Sequence, residues 1–176
     1  MGLLGKTVIK INRRIQGIPR TAVITILVVG IMLSITACSG QGAPAVKATW
    51  IKPQVTGDSV SIPVSEVKND KIVHFNVAVA LGSEMAFMAY DVDGKLNVRA
   101  NVCPPCRSIG FSLSKDVLVC NTCQTTFKAK TGEGISGACV AYPKAAVPYE
   151  ISDGKIVMKG NDLLAAYQNT IEPDWP

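Results

Sequence analysis

The chain has 176 residues, with 18 Lys and Arg against 13 Asp and Glu, six cysteines and one histidine. The formal excess of +5 lies wholly in the first 37 residues, where Lys6, Lys10, Arg13, Arg14 and Arg20 meet no acidic residue; from Cys38 onward 13 residues of each sign remain, which excludes the basic surface of a nucleic-acid-binding protein. A single histidine leaves no partner for an acid–base or nucleophile pair, so the composition points to a binding or electron-transfer protein more than to a stand-alone enzyme.

The basic stretch is followed by an apolar run at residues 21–37 (TAVITILVVGIMLSITA) in the order of an export signal. It falls short of the roughly 20 apolar residues of a membrane span and is interrupted by Gly30, Ser34 and Thr36. Ile35-Thr36-Ala37-Cys38 resembles the lipobox of bacterial lipoproteins, which makes residues 1–37 a signal peptide and Cys38 the lipidated residue. The alternative is a single N-terminal transmembrane anchor, and both readings put the remainder on the extracytoplasmic face of the membrane. Arg13-Arg14 leaves twin-arginine export open beside ordinary secretion. Residues 38–47, small and polar, are expected to form a flexible tether, and residues 48–176 are of a size for one domain.

Within that domain, short Val- and Ile-rich runs separated by Gly, Pro and Asp-Gly predict a mostly β fold. Strands are expected at residues 59–63, 72–80, 86–91, 96–100, 117–119, 125–128, 148–151 and 155–158. Asp93-Gly94 and Asp153-Gly154 predict hairpin turns, since glycine accepts the positive φ that these turns require. One helix is expected at residues 161–168, capped by Asn161 or Asp162. His74 reads as a partly exposed strand residue, and Met85 and Met88 read as core filling in place of thioether ligands.

Cys103-Pro104-Pro105-Cys106 and Cys120-Asn121-Thr122-Cys123 are separated by 13 residues. Two residues between cysteines let the chain turn so that both sulfurs face one point, and a second such pair completes a four-thiolate set suited to zinc or to an iron-sulfur cluster. Outside the cytoplasm thiols oxidise, so two redox dithiols form the competing reading. Two features weigh against thioredoxin-like chemistry: no helical period follows Cys106, and a second pair has no part in that mechanism. With Cys38 lipidated, five cysteines remain, an odd number that disulfides alone cannot use up; Cys139 is then a further ligand or a buried thiol beside the site.

From about residue 59 to residue 163 the chain resembles the FtrD-like membrane iron-sulfur proteins, on the segments SIPVSEV, KIVHFNVAV, YDVDGKLNVRAN, CPPC, Gly110-Phe111, VCNTC, GISGACVAYP and the closing Val-Pro-Tyr-Glu-Ile and Asp-Gly-Lys-Ile-Val. The resemblance implies a metal centre at Cys103, Cys106, Cys120 and Cys123, with Cys139 nearby. It also implies an iron-sulfur cluster as cofactor, one-electron transfer, and a redox partner or metal-transport permease at the membrane. A zinc-stabilised interaction domain is the alternative. The sequence departs from the family where Ala138-Cys139-Val140 replaces Gly-Gly-Cys-Asn-Pro, and where Arg107 and Gln124 replace the glycine that commonly follows each pair. Arg107 either offsets thiolate charge or is solvated at the surface.

Overall fold

The computed structural model describes residues 44–78 and 83–173. The expected signal peptide, Cys38 and most of the expected tether lie outside the described residues. The elements run β1 (Val46–Lys47), β2 (Thr49–Trp50), β3 (Gln54–Thr56), β4 (Ser59–Pro63), α1 (Val64–Asp70), β5 (Ile72–Ala78), β6 (Glu84–Val92), β7 (Lys95–Ala100), β8 (Phe111–Ser114), β9 (Val117–Cys120), β10 (Thr126–Lys128), β11 (Gly134–Ser136), β12 (Glu150–Ser152), β13 (Lys155–Lys159) and α2 (Gly160–Ile171).

The strands form three sheets, ordered β2-β5-β6-β7, β12-β13-β4-β3 and β1-β8-β9-β10-β11. The first is a shared wall, and the period of two in its strands divides its side chains between two cores. Val73, Phe75, Phe87, Ala89 and Val98 pack against Val60 and Ile62 of β4, Ile156 and Met158 of β13 and Leu163 of α2. Ile72, Met88 and Tyr90, from the opposite face, pack against Phe111, Leu113, Leu118 and Phe127 and against Cys103, Cys120 and Cys139. The cysteine-bearing sheet is thus held on the wall by apolar burial, each large side chain contributing about 1.5–3 kcal/mol.

All eight expected strands form, most with an end displaced by one or two residues; residues 79–80 of the strand expected at 72–80 lie outside the described residues. The strand expected from residue 148 begins at Glu150, because proline lacks the N–H that a ladder uses. No helix was expected after β4, where α1 is entered from Pro63 at φ −66° and ended by Lys71 at φ 66°. Val67 on α1 is fully buried. Strands β1, β2, β3, β8 and β11 carry too few residues for a period to show and exist by pairing. Val46 and Lys47, the last two residues before 48, pair with Leu113 and Ser112, so the sheet begins inside the expected tether.

Both Asp-Gly turns form as expected, with Asp93 at φ 55°, Gly94 at 78°, Asp153 at 49° and Gly154 at 72°. Gly132, at φ 83°, differs in its surroundings: a Cβ there would strike the Lys144 carbonyl oxygen and lie 2.7 Å from the Arg99 guanidinium. Gly94 faces open space. Gly94→Ala is expected to cost about 1–2 kcal/mol from backbone conformation alone, and Gly132→Ala clearly more, as read by urea unfolding of both variants.

Candidate metal centre

The two cysteine pairs fold in the same way. In the first, Cys103 N–H donates to the Ser108 carbonyl at 2.8 Å; in the second, Cys120 N–H donates to the Thr125 carbonyl at 2.9 Å. Each turn reverses at the residue after its second cysteine, Arg107 at φ 57° and Gln124 at φ 59°. These are the two positions where glycine commonly stands, and here non-glycine side chains hold the left-handed conformation. Both point outward on exposed residues. Arg107 is therefore a surface residue.

The turns are locked to each other and to the sheet. Asn121 N–H donates to the Gly110 carbonyl at 2.9 Å, Ser112 Oγ donates to Asn121 Oδ1 at 2.7 Å, and Asn101 Nδ2 donates to the Ile109 carbonyl at 2.7 Å. A Cβ on Gly110 would come within 3.1 Å of the Asn121 side chain. The Gly110-Phe111 step thus lets the second turn lie against the first.

The sulfurs of Cys103, Cys106, Cys120 and Cys123 all lie within 4.8 Å of one another, with Cys106 and Cys120 Sγ 3.7 Å apart. A metal–sulfur bond of about 2.3 Å gives a tetrahedral edge of roughly 3.8 Å. The donor set therefore fits one tetrahedral ion as it stands, iron or zinc. A larger cluster distributes its thiolates over separate irons and requires these sulfurs to spread. Cys139 Sγ stands 3.6 Å from Cys123 Sγ but outside the mutually close four, as a fifth thiol at the edge of the site.

Burial is uneven. Cys103, Cys120 and Cys139 are buried, while Cys106 and Cys123 are half-buried. Burial, together with neighbouring thiols, pushes the Cys103 thiol far up, and burial pushes Cys106 up to about 11 against a hydrogen bond from the Ser108 backbone. For Cys123 burial also acts upward, but the Thr125 side chain and backbone and the Cys106 and Cys120 thiols outweigh it and bring the group down to about 6. The Thr125 hydroxyl lies 3.2 Å from Cys123 Sγ and accepts the Cys139 N–H at 3.2 Å.

Thr125 and Ser108 were not singled out in the sequence, although both stand two residues after a pair, where a backbone N–H reaches the second sulfur. Lys144 and Arg99, both buried, were also missed, and nothing local marks them. His74, expected to be partly exposed, is buried, at 1 % exposure. Trp50, aligned with it across β2 and β5, covers it edge to face at 5.0 Å. Burial takes its imidazole down to about 4 against a hydrogen bond with the Phe111 backbone, so it is neutral at physiological pH. Met85 and Met88 are core residues as expected.

A family model described as membrane iron-sulfur containing protein FtrD-like matches residues 48–169. The chain belongs to the FtrD-like family. The match spans both cysteine pairs and Cys139. No curated protein matches the chain. Among solved structures, a chain from a complex of reduced oxygenase and oxidized ferredoxin in carbazole 1,9a-dioxygenase aligns with a TM-score of 0.49 at 18 % identity, covering 60 % of this chain and 95 % of that one. The Sphingomonas yanoikuyae B1 ferredoxin aligns with a TM-score of 0.39 at 24 % identity, covering 48 % of this chain and 83 % of that one. Among the described residues of this FtrD-like chain, no helix is long and apolar enough to cross a membrane.

The thiol environments give a pH signature. In the reduced, metal-free chain, alkylation of Cys123 by iodoacetamide is expected to rise through about pH 6, as the thiolate forms. Cys106 should respond only toward about pH 11. Thr125→Ala should move the Cys123 midpoint upward, read by mass spectrometry of the alkylated peptides.

Proposed function

We propose that this chain is a lipid-anchored iron-sulfur protein of the extracytoplasmic membrane face that carries single electrons. Cys103, Cys106, Cys120 and Cys123 hold the centre, and Cys38 carries the lipid. The observation that carries this reading is the convergence of four sulfurs within 4.8 Å on two matching turns, in a member of an iron-sulfur family. Iron held by four thiolates changes oxidation state by one electron, at a potential set by hydrogen bonds to sulfur, charge and solvent exposure. The residues supply those settings. Ser108 and Thr125 direct hydrogen bonds at Cys106 and Cys123, and the apolar cluster of Phe111, Leu118 and Phe127 keeps water from the buried sulfurs of Cys103 and Cys120.

The redox partner is a membrane-bound electron carrier or a metal-transport permease, met at the edge where Cys106 and Cys123 are half-buried. Cys139 stands beside the centre as a spare thiol. The four-thiolate set suits zinc as well as iron; zinc would make the domain a structural module, since zinc does not change oxidation state.

Anaerobic purification of the full chain with metal and sulfide analysis tests the reading. Iron is expected, with labile sulfide marking a cluster and its absence a single ion, and zinc alone, or two disulfides without metal, refutes electron transfer by this centre. Cys120→Ser should retain less than about a tenth of the metal, because a structural tetrathiolate site loses most of its affinity with one ligand. Cys139→Ala should retain nearly all of it.

A further inference from the structure

Two cations are buried in the cysteine-bearing half of the domain, and neither has a carboxylate partner among the described residues. Lys144 is fully buried; its ammonium donates to the carbonyl of Val102, the residue before Cys103, at 2.7 Å, and lies 4.5 Å from the centre of the Phe127 ring and 5.5 Å from that of Phe111. Arg99 is 5 % exposed. Its guanidinium donates to Tyr90 Oη at 2.8 Å, to the Lys144 carbonyl at 2.7 Å and to the Lys130 carbonyl at 2.7 Å. The ion pairs described, Lys128 with Glu133 and Lys130 with Asp93, are exposed and elsewhere.

An ammonium taken out of water without an anion costs several kcal/mol, and neutral carbonyls and ring faces offset only part of that. Phe111 and Phe127 belong to the same buried cluster as Cys103, Cys120 and Cys139. Burial lowers the proton affinity of Lys144, while Cys103, Cys120, Cys139 and Cys106 act on it in the opposite sense. The missing anion is thus the thiolate set itself. Four thiolates around a divalent ion carry two net negative charges, and around a trivalent ion only one.

We infer that Lys144 is the built-in counter-cation of the four-cysteine centre, held by Val102, Phe127 and Arg99 so that it favours the more negative, divalent state of the bound ion. It acts through the centre as a positioning charge and touches no partner. This inference rests on the metal-binding reading above and extends it from ligands to electrostatics. Arg99 serves it from behind by fixing the Lys144 carbonyl.

The test compares the full chain with Lys144→Met, which keeps the length and removes the charge, and with Lys144→Arg, which keeps the charge. In the metal-free reduced state, Lys144→Met should be more stable than the wild type to urea. Loaded with zinc, it should be less stable, because a lost counter-cation harms only the anionic centre. A purely structural lysine would lower both, and that result overturns the inference. For the iron-loaded chain the ferrous-to-ferric ratio at a fixed potential should fall at least tenfold in Lys144→Met, a shift of about 59 mV or more, with Lys144→Arg near the wild type; an unchanged potential with full iron content overturns the inference.

If Lys144→Met does not fold, side-chain nitrogen-15 NMR of the zinc-loaded wild type decides. A protonated Lys144 ammonium supports the inference and a neutral amine overturns it. Should the wild-type chain bind neither iron nor zinc, the metal-binding reading fails first, and the counter-cation falls with it. Metal retained with no charge effect removes only the counter-cation.

Discussion

Four sulfurs that would repel one another as thiolates must be brought to one point, and the sheet β1-β8-β9-β10-β11 with the loop that enters it is arranged to do it. The constraint is met twice by the same device: a strand end, two intervening residues, a left-handed residue at Arg107 or Gln124, and a return in which the N–H of the first cysteine meets a carbonyl at Ser108 or Thr125. A left-handed non-glycine residue costs about 1–2 kcal/mol, which the ladder between β8 and β9 and the Asn121 contacts offset. The cysteine at the end of β9, Cys120, pairs directly with Phe111. The strand that fills the core thus also fixes the position of a ligand.

Charge follows from that arrangement. Exposed acidic and basic side chains pair with each other at the rim, where water screens them, while Arg99 and Lys144 are kept inside among carbonyls and aromatic faces. Tyr90, whose phenol burial pushes up to about 12 against the pull of Arg99, stays neutral and donates onward to the Ala129 carbonyl at 2.6 Å. The buried thiols thus share their interior with Lys144 and with apolar and aromatic side chains. Hydrogen bonds to sulfur and nearby cations both act to stabilise negative charge there.

The β class, the paired cysteines and the Asp-Gly turns were legible because each is local: alternation reports a half-buried strand, spacing reports a turn, and glycine reports a positive φ. Cys139 could be named but not placed, since its approach to Cys123 depends on Gly134 and Gly137 letting the chain pass close to Val140 and Thr125. The helix α1 was missed because its buried face consists of little more than Val64 and Val67, too short to show a period. The burial of His74 depends on Trp50 from a two-residue parallel strand. Lys144 follows the last paired cysteine by more than twenty residues, and its role depends on β7 and the loop from residue 129 to 132 meeting it in space. Long-range encounters of this kind leave no mark in a short window of sequence.

The shared wall has one further consequence. Its other face, with β4, β13 and α2, is an apolar core that contains no cysteine. A small zinc finger falls apart without its ion because it has no other interior. This domain has a second interior on the far side of the same strands, so a large part of its buried apolar surface is independent of whatever the cysteines hold.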